Sequence, residues 1–165
     1  MDVQTQYEFT AKVDAVMAMF GDPEYQRQKL IDAGHTNIEV PECGLADDGS
    51  LRIVSRRTVA VDVPGALKRI LKPTNTVTQT DVWQPGKRGP RSGTWTVEIK
   101  GIPIHLSGTM QLAAKGSGSV ETIEGVLKAS VPLVGGKLEK LAHSNFLEST
   151  AQEQDFSARW LAGQV

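Results

Sequence analysis

Hydrophobic residues recur with the period of a helix near the C-terminal end of the chain. From Val134 to Leu161 the sequence contains no proline, and only Gly135 and Gly136 interrupt it near its start. At about 100° per residue, one stripe of this segment is mainly apolar. The segment therefore predicts a helix of roughly thirty residues. The side chains on its apolar stripe are Val134, Leu138, Leu141, Ala142, Phe146, Phe156 and Trp160.

Three polar side chains, Asn145, Ser149 and Gln152, fall inside this apolar stripe. Burying an amide or a hydroxyl without a hydrogen-bond partner costs about 1–3 kcal/mol. The three residues therefore need partners, and the sequence leaves three kinds open: the backbone of an opposing sheet, ordered water or a bound ligand. In apolar pockets a few polar groups of this type usually orient the ligand.

Much of the remaining chain alternates apolar and polar residues, which is the pattern of half-buried strands. A sheet with one apolar face needs a cover, so we expect the terminal helix to lie across it. The sequence thus predicts a single α+β domain over residues 1–165. The predicted strands are 2–10, 35–43, 51–62, 74–84, 92–101, 104–114 and 119–131, and two short helices, 11–20 and 23–33, follow the first strand.

Polar side chains interrupt the inward faces of several predicted strands. Tyr7 is inward on the first strand, and Arg57 and Asp81 are inward on two neighbouring strands. A buried guanidinium or carboxylate is tolerated only when it is paired. We therefore expect Arg57 and Asp81 to form an ion pair that faces the interior. The alternative is a register slip of one residue, which would place both side chains in solvent.

Five large side chains decide whether a cavity exists beneath the helix. Trp83, Trp95, Met110, Phe146 and Phe156 are all predicted to point inward. They either line a cavity or fill it and leave an ordinary core, and the sequence leaves both outcomes open.

The order of these elements, with the Pro132–Gly136 segment (PLVGG) that leads into the long helix, resembles the helix-grip fold of the START-like superfamily. That superfamily includes the Bet v 1 pollen proteins, polyketide cyclases and lipid-transport domains. The resemblance covers essentially the whole chain and is closest to an uncharacterised actinobacterial branch. It implies a curved antiparallel sheet of about seven strands wrapped around the C-terminal helix, with a cavity between them.

Composition and charge argue against several classes of function. The chain is 39% hydrophobic and 22% charged, and its net charge of −1 provides no general attraction to nucleic acid. No apolar run approaches the ~20 residues that span a bilayer, so we expect no stable membrane insertion. A single cysteine, Cys43, excludes an intrachain disulfide, and the N-terminus lacks the layout of a signal peptide. We therefore expect a cytoplasmic protein.

The sequence predicts no metal site, no cofactor and no catalytic residue. The three histidines, His35, His105 and His143, do not have the spacing of metal ligands. Neither a GxSxG nucleophile motif nor a phosphate-binding loop occurs.

We therefore predict binding or transport of a small hydrophobic molecule, such as a lipid, an isoprenoid or a polyketide-like compound. One alternative is an enzyme of the cyclase or dehydratase type, for which Tyr7, Arg57 and Asp81 are the candidates. The other is a protein-interaction module of the same fold. The sequence carries no signal for an oligomeric state. The predicted ligand-binding residues are Tyr7, Arg57, Asp81, Trp83, Trp95, Met110, Asn145, Ser149, Gln152 and Phe156.

Overall fold

The computed structural model describes residues 1–165, and its elements follow the predicted order. Strand β1 (Asp2–Phe9) is followed by helices α1 (Val13–Phe20) and α2 (Pro23–Asp32). Helix α3 (Gly135–Leu161) is the last element, and a short 3-10 turn covers Gly65–Leu67. The six strands in between are β2 (Thr36–Leu45), β3 (Leu51–Ala60), β4 (Thr74–Trp83), β5 (Arg91–Ile99), β6 (Ile104–Lys115) and β7 (Gly118–Ala129).

All seven strands form one antiparallel sheet in the order β1-β7-β6-β5-β4-β3-β2. Strands β2 to β7 form a meander, because each pairs with the next one along the chain. Strand β1 pairs with β7, so the first and second strands of the chain form the two edges of the sheet. The predicted helix-grip architecture, with two short helices after the first strand and a long terminal helix, is confirmed.

Side chains on the strands alternate between the two faces of the sheet as the sequence pattern predicts. On β6, Leu106 and Met110 are buried, whereas His105 is exposed. On β4, Val77 and Trp83 are buried at inward positions. The inner face therefore carries the core, and α3 covers it.

An aromatic cluster joins α1 and α2 to the sheet and to the C-terminal part of α3. The ring of Phe20 stacks on Trp83, with 5.6 Å between ring centroids. The ring of Tyr25 lies 5.8 Å from Phe156 and 5.6 Å from Trp160. Because these rings come from β4 and from all three helices, they anchor the end of α3 against the rest of the fold.

Helix α3 is buried near its two ends but not in its middle. Gly135 and Leu138 are buried near its start, and Phe156 and Ser157 are buried near its end. Every residue from 139 to 155 keeps accessible surface. The middle of the helix is therefore less buried than its ends, although Leu141, Ala142 and Phe146 still pack against the core. Although α3 has 27 residues, neither it nor the shorter helices are apolar enough to cross a lipid bilayer.

Candidate functional site

A cavity of about 230 Å³ lies between the sheet and the middle of α3. Of the 34 residues that line it, 20 are hydrophobic. Mainly apolar walls with a few polar groups are typical of small-molecule sites. The volume is somewhat below the roughly 300–1,000 Å³ of usual ligand pockets, so the cavity suits a small molecule. Of the five large inward side chains, Trp95, Met110 and Phe146 line this space and do not fill it.

In one row of the sheet under the cavity, aliphatic side chains on β5, β6 and β7 meet polar side chains on β3 and β4. Across β5, β6 and β7, Val97, Leu106 and Leu127 lie opposite one another. Continuing the same row, Gln79 of β4 lies opposite Val97, and Ser55 of β3 lies opposite Gln79. The row thus changes from aliphatic to polar within one strand spacing. This arrangement matches a molecule that has an apolar part and a polar part.

Arg57 and Asp81 both line the cavity, but the predicted ion pair between them is wrong. Nη2 of Arg57 donates to Oε1 of Gln79 at 3.1 Å, and Nε2 of Gln79 donates to both carboxylate oxygens of Asp81 at 3.1 Å. The register explains the difference, because Arg57 lies opposite Val77 and Asp81 lies two inward positions further along β4. At about 3.3 Å per residue this separation is too large for direct contact, and Gln79 connects the two charges.

Unpartnered nitrogen atoms cluster around Arg57. Nη1 of Arg57 donates to Oγ of Ser55 at 3.2 Å, whereas its Nε is buried without a hydrogen-bond partner. His35, which precedes β2, also lines the cavity, and its Nδ1 is buried without a partner. Burial, and secondly the charge of Arg57, lower the pKa of His35 to about 4. The imidazole is therefore neutral at pH 7.

Two buried carboxyl groups have pKa values close to neutrality. Burial raises the pKa of Asp81 to about 6 and that of Glu121 to about 8, while the charge of Lys29 lowers both. At pH 7 Asp81 is therefore mainly ionised and Glu121 mainly protonated. Groups that titrate near the working pH are suited to donating or accepting protons. Burial also raises the pKa of Tyr7, whose hydroxyl has no hydrogen-bond partner.

Three polar contacts join helices α2 and α3, and two of them, other than the Arg159–Asp32 ion pair, lie beside the cavity. Nζ of Lys29 forms an ion pair with Oε1 of Glu153 at 2.8 Å. The hydroxyl groups of Tyr25 and Ser157 lie 2.7 Å apart and are both buried. Lys29, Glu153 and Ser157 also line the cavity. The two helices therefore supply one charged and one neutral contact at the edge of the site.

Several of these residues were not predicted from the sequence. Glu121 lies two residues before Ile123, on the inward face of β7. The alternation of apolar and polar residues along β7 therefore contains a signal for it. Lys29 follows the buried Tyr25 by one helical turn, and Glu153 precedes Ser157 by one turn. Charged residues on helices usually face solvent, so the sequence alone does not mark Lys29 and Glu153 as site residues. Only the contact between α2 and α3 brings them to the cavity.

The predicted aromatic and sulfur-containing site residues divide into two groups. Tyr7, Trp95 and Met110 line the cavity, and Trp95 packs against Phe146 of α3 with 5.3 Å between ring centroids. Trp83 and Phe156, in contrast, do not line it: they belong to the aromatic core described above. The structure thus places Trp83 and Phe156 outside the predicted cavity wall, because Phe20 of α1 and Tyr25 of α2 pack over them.

The polar residues predicted on the apolar stripe of α3 do line the cavity, but they are less buried than expected. Asn145 is half-buried, whereas Ser149 and Gln152 are exposed. Since they line the cavity and still reach solvent, Ser149 and Gln152 border its opening. The polar residues of α3 that are more enclosed are Thr150, Glu153 and Ser157.

Comparison with known proteins provides a family match and a set of structural neighbours. The family described as "Protein of unknown function (DUF2505)" matches residues 4–161. A relative in Mycobacterium tuberculosis (strain ATCC 25618 / H37Rv), "Uncharacterized protein Rv0481c", is 25% identical over 171 residues, which cover 99% of this chain and 97% of the relative.

Solved structures share the architecture at low sequence identity. TTHA0849 of Thermus thermophilus superimposes with a TM-score of 0.68 at 14% identity, covering 99% of this chain and 98% of that one. A START superfamily protein of Mycobacterium smegmatis superimposes with a TM-score of 0.54 at 14% identity, covering 97% and 98% of the two chains. At such identities the likeness concerns the fold.

Proposed function

The chain belongs to the DUF2505 family, and from this premise and its helix-grip fold we propose that it binds or transports a small, mostly apolar molecule. Lipids, isoprenoids and polyketide-like compounds are the classes that fit. The observation that carries the proposal is the way α3 crosses the sheet. The helix is buried at both ends, and its middle lies over a cavity of about 230 Å³ whose walls are mainly apolar.

An apolar cavity that is left empty is costly, because the side chains around it lose van der Waals contacts. A well-packed helix–sheet interface would bury the middle of α3 with aliphatic side chains. Beside Leu141 and Phe146, this protein has the small Ala142 and the polar Asn145 at positions that face the cavity. Their small size and polarity support a space kept for a ligand.

Native mass spectrometry after gentle purification tests this proposal directly. We expect a co-purified small molecule, or a gain in thermal stability with members of a panel of apolar compounds. Ala142→Phe should abolish both effects, because the new ring would occupy the cavity. Ala151→Phe is the matched control, since Ala151 is an exposed residue on the same helix and does not line the cavity. A protein that is always empty and gains no stability from any compound would contradict the proposal.

A second function, an enzyme of the cyclase or dehydratase type, is favoured by one specific observation. Asp81 and Glu121 face the same apolar cavity and have pKa values of about 6 and about 8. A general acid or base works best when its pKa lies near the working pH. Asp81→Asn separates the two functions once a ligand is known. Loss of turnover with retained binding would support the enzyme, whereas unchanged conversion of the ligand would exclude Asp81 as its acid or base.

A further inference from the structure

Arg57 is a half-buried cation that forms no ion pair, and its Nε atom is fully buried. Its guanidinium donates to the neutral oxygens of Ser55 and Gln79, and its Nε–H has no acceptor. Burial lowers the pKa of the group, which reflects the cost of holding the charge in this environment. A buried charge is normally paired, because an unpaired one is strongly unfavourable. Arg57 therefore has unused donors beside the cavity, and the carboxylate of Asp81 is connected to it only through Gln79.

The acidic groups that face the same cavity are already engaged or uncharged. Asp81 accepts two hydrogen bonds from Gln79, and Glu153 pairs with Lys29 at 2.8 Å. Glu121 is mainly protonated at pH 7, since burial raises its pKa to about 8. Glu153 and Asp81 act on the pKa of Arg57 through their charges, without a direct contact. None of them satisfies its free N–H donors.

We propose that the ligand of the cavity carries an anionic group, such as a carboxylate, which binds to Arg57. This inference rests on the proposed function and deepens it. Nδ1 of His35 lies at the same part of the cavity and can donate a second hydrogen bond in the appropriate tautomer. From Arg57, the aliphatic side chains of Val77 and Ile99 continue across the sheet in the same row, and both line the cavity. They would receive the apolar part of the same molecule.

The test compares octanoate with 1-octanol, two probes of equal chain length that differ in the charge of the head group. Affinities are measured by isothermal titration calorimetry near pH 7.5 for the wild type, Arg57→Met and the control Arg56→Met. Arg56 directly precedes Arg57 on β3. It is exposed on the opposite face and forms an ion pair with Glu39 at 2.9 Å. We expect the wild type and Arg56→Met to bind octanoate at least about tenfold more tightly than 1-octanol. Arg57→Met should lose this preference and keep its affinity for 1-octanol.

Equal affinities of the wild type for the two probes, or a preference that persists in Arg57→Met, would overturn the anionic ligand and leave the proposed function intact. If neither probe and no compound of the apolar panel binds, the result counts against the proposed function. The anionic ligand is then contradicted as well. Circular dichroism checks that Arg57→Met is folded, and Arg57→Gln replaces it if it is not.

Stability supplies an independent measurement. Because Arg57→Met removes an unpaired buried charge, the empty variant should unfold at the same urea concentration as the wild type or at a higher one. A clearly lower midpoint for both Arg57→Met and Arg57→Gln would show that the guanidinium stabilises the fold. That result would contradict its assignment to a ligand.

Discussion

Tyr7 and Glu121 lie directly opposite each other on β1 and β7, and both side chains are buried beside the cavity. The hydroxyl of Tyr7 has no hydrogen-bond partner, and the pKa of Glu121 is raised by burial and by the negative charges of Glu153 and Asp81. Near pH 7 the two residues therefore present two O–H groups to a mainly apolar cavity. Groups that break the rules of stable packing concentrate at functional sites, which fits the proposed ligand cavity.

Glu121→Gln should stabilise the protein in a pH-dependent manner. Folding raises the pKa of Glu121 from the ordinary value of 4.5 to about 8, so the folded state binds this proton more tightly than the unfolded state. The resulting stability is fully present below pH 4.5 and is lost as the pH rises to about 8. Glutamine cannot ionise. The variant should therefore lie within about 1 kcal/mol of the wild type near pH 5 and exceed it by roughly 3–5 kcal/mol near pH 8.5.

Urea unfolding of both proteins at the two pH values measures this difference. Glu124→Gln is the matched control, because Glu124 is exposed on the opposite face of the same strand. An advantage of Glu121→Gln that is equal at both pH values would show that the carboxyl group does not titrate in this range.

Lys29→Met should destabilise the protein at pH 7. The side chain of Lys29 is 8% exposed and pairs with that of Glu153, which is 37% exposed. The charge of Lys29 also lowers the pKa of Asp81 and Glu121. Because Glu153 can still be solvated in part, we expect a loss of roughly 1–3 kcal/mol in the free energy of unfolding. The exposed Lys140 of α3 provides the control variant Lys140→Met. A cost equal to that of the control would mean that the pair contributes nothing.

Most of the fold could be predicted from the sequence, because alternation and helical period are local signals. The strand predicted over 104–114 is Ile104–Lys115 in the structure, and the predicted terminal helix is Gly135–Leu161. The strand predicted over 51–62 ends earlier, at Ala60. Deviations of this size are expected, since the ends of an element depend on its neighbours as well as on its own residues.

The site was less predictable, because it depends on register and on what lies beneath a helix. Arg57 and Asp81 were correctly placed on inward faces, but their separation follows from the pairing of Arg57 with Val77. Ser149 lies in the centre of the apolar stripe of α3 and is nevertheless exposed. Helical period indicates which side of α3 faces the sheet. It does not indicate that a cavity separates the two there.

Ser157→Ala should cost more stability than Tyr25→Phe, although both variants break the same hydrogen bond. The hydroxyl of Ser157 donates to the backbone carbonyl oxygen of Glu153 at 2.7 Å, so Tyr25 is the donor in the Tyr25–Ser157 contact. Ser157→Ala leaves the buried Tyr25 hydroxyl without a partner, which should lower the free energy of unfolding by about 1–3 kcal/mol. Tyr25→Phe removes the donor itself and should lower it by only about 0.5–1.5 kcal/mol. Urea unfolding gives both values. The reverse order would contradict this assignment of donor and acceptor.

Gly125→Ala should damage the cavity from the side of the sheet. A Cβ atom at Gly125 would overlap the indole ring of Trp95 and the carbonyl oxygen of Ser107. The indole lines the cavity, packs against Phe146 of α3 and donates from Nε1 to the backbone oxygen of Glu124 at 3.1 Å. We therefore expect the ring to shift toward α3, with a loss of about 1–3 kcal/mol in the free energy of unfolding.

The same shift would narrow the cavity, so the affinity of Gly125→Ala for 1-octanol should also fall. Gly44→Ala is the control, because the space around Gly44 on β2 is open and this strand lies at the edge of the sheet. Reduced stability with unchanged affinity would mean that Trp95 supports the fold without bounding the ligand. The expected outcome is that stability and affinity both decrease in Gly125→Ala while neither changes in Gly44→Ala. In that case the absence of a side chain at Gly125 keeps Trp95 away from α3 and the cavity open.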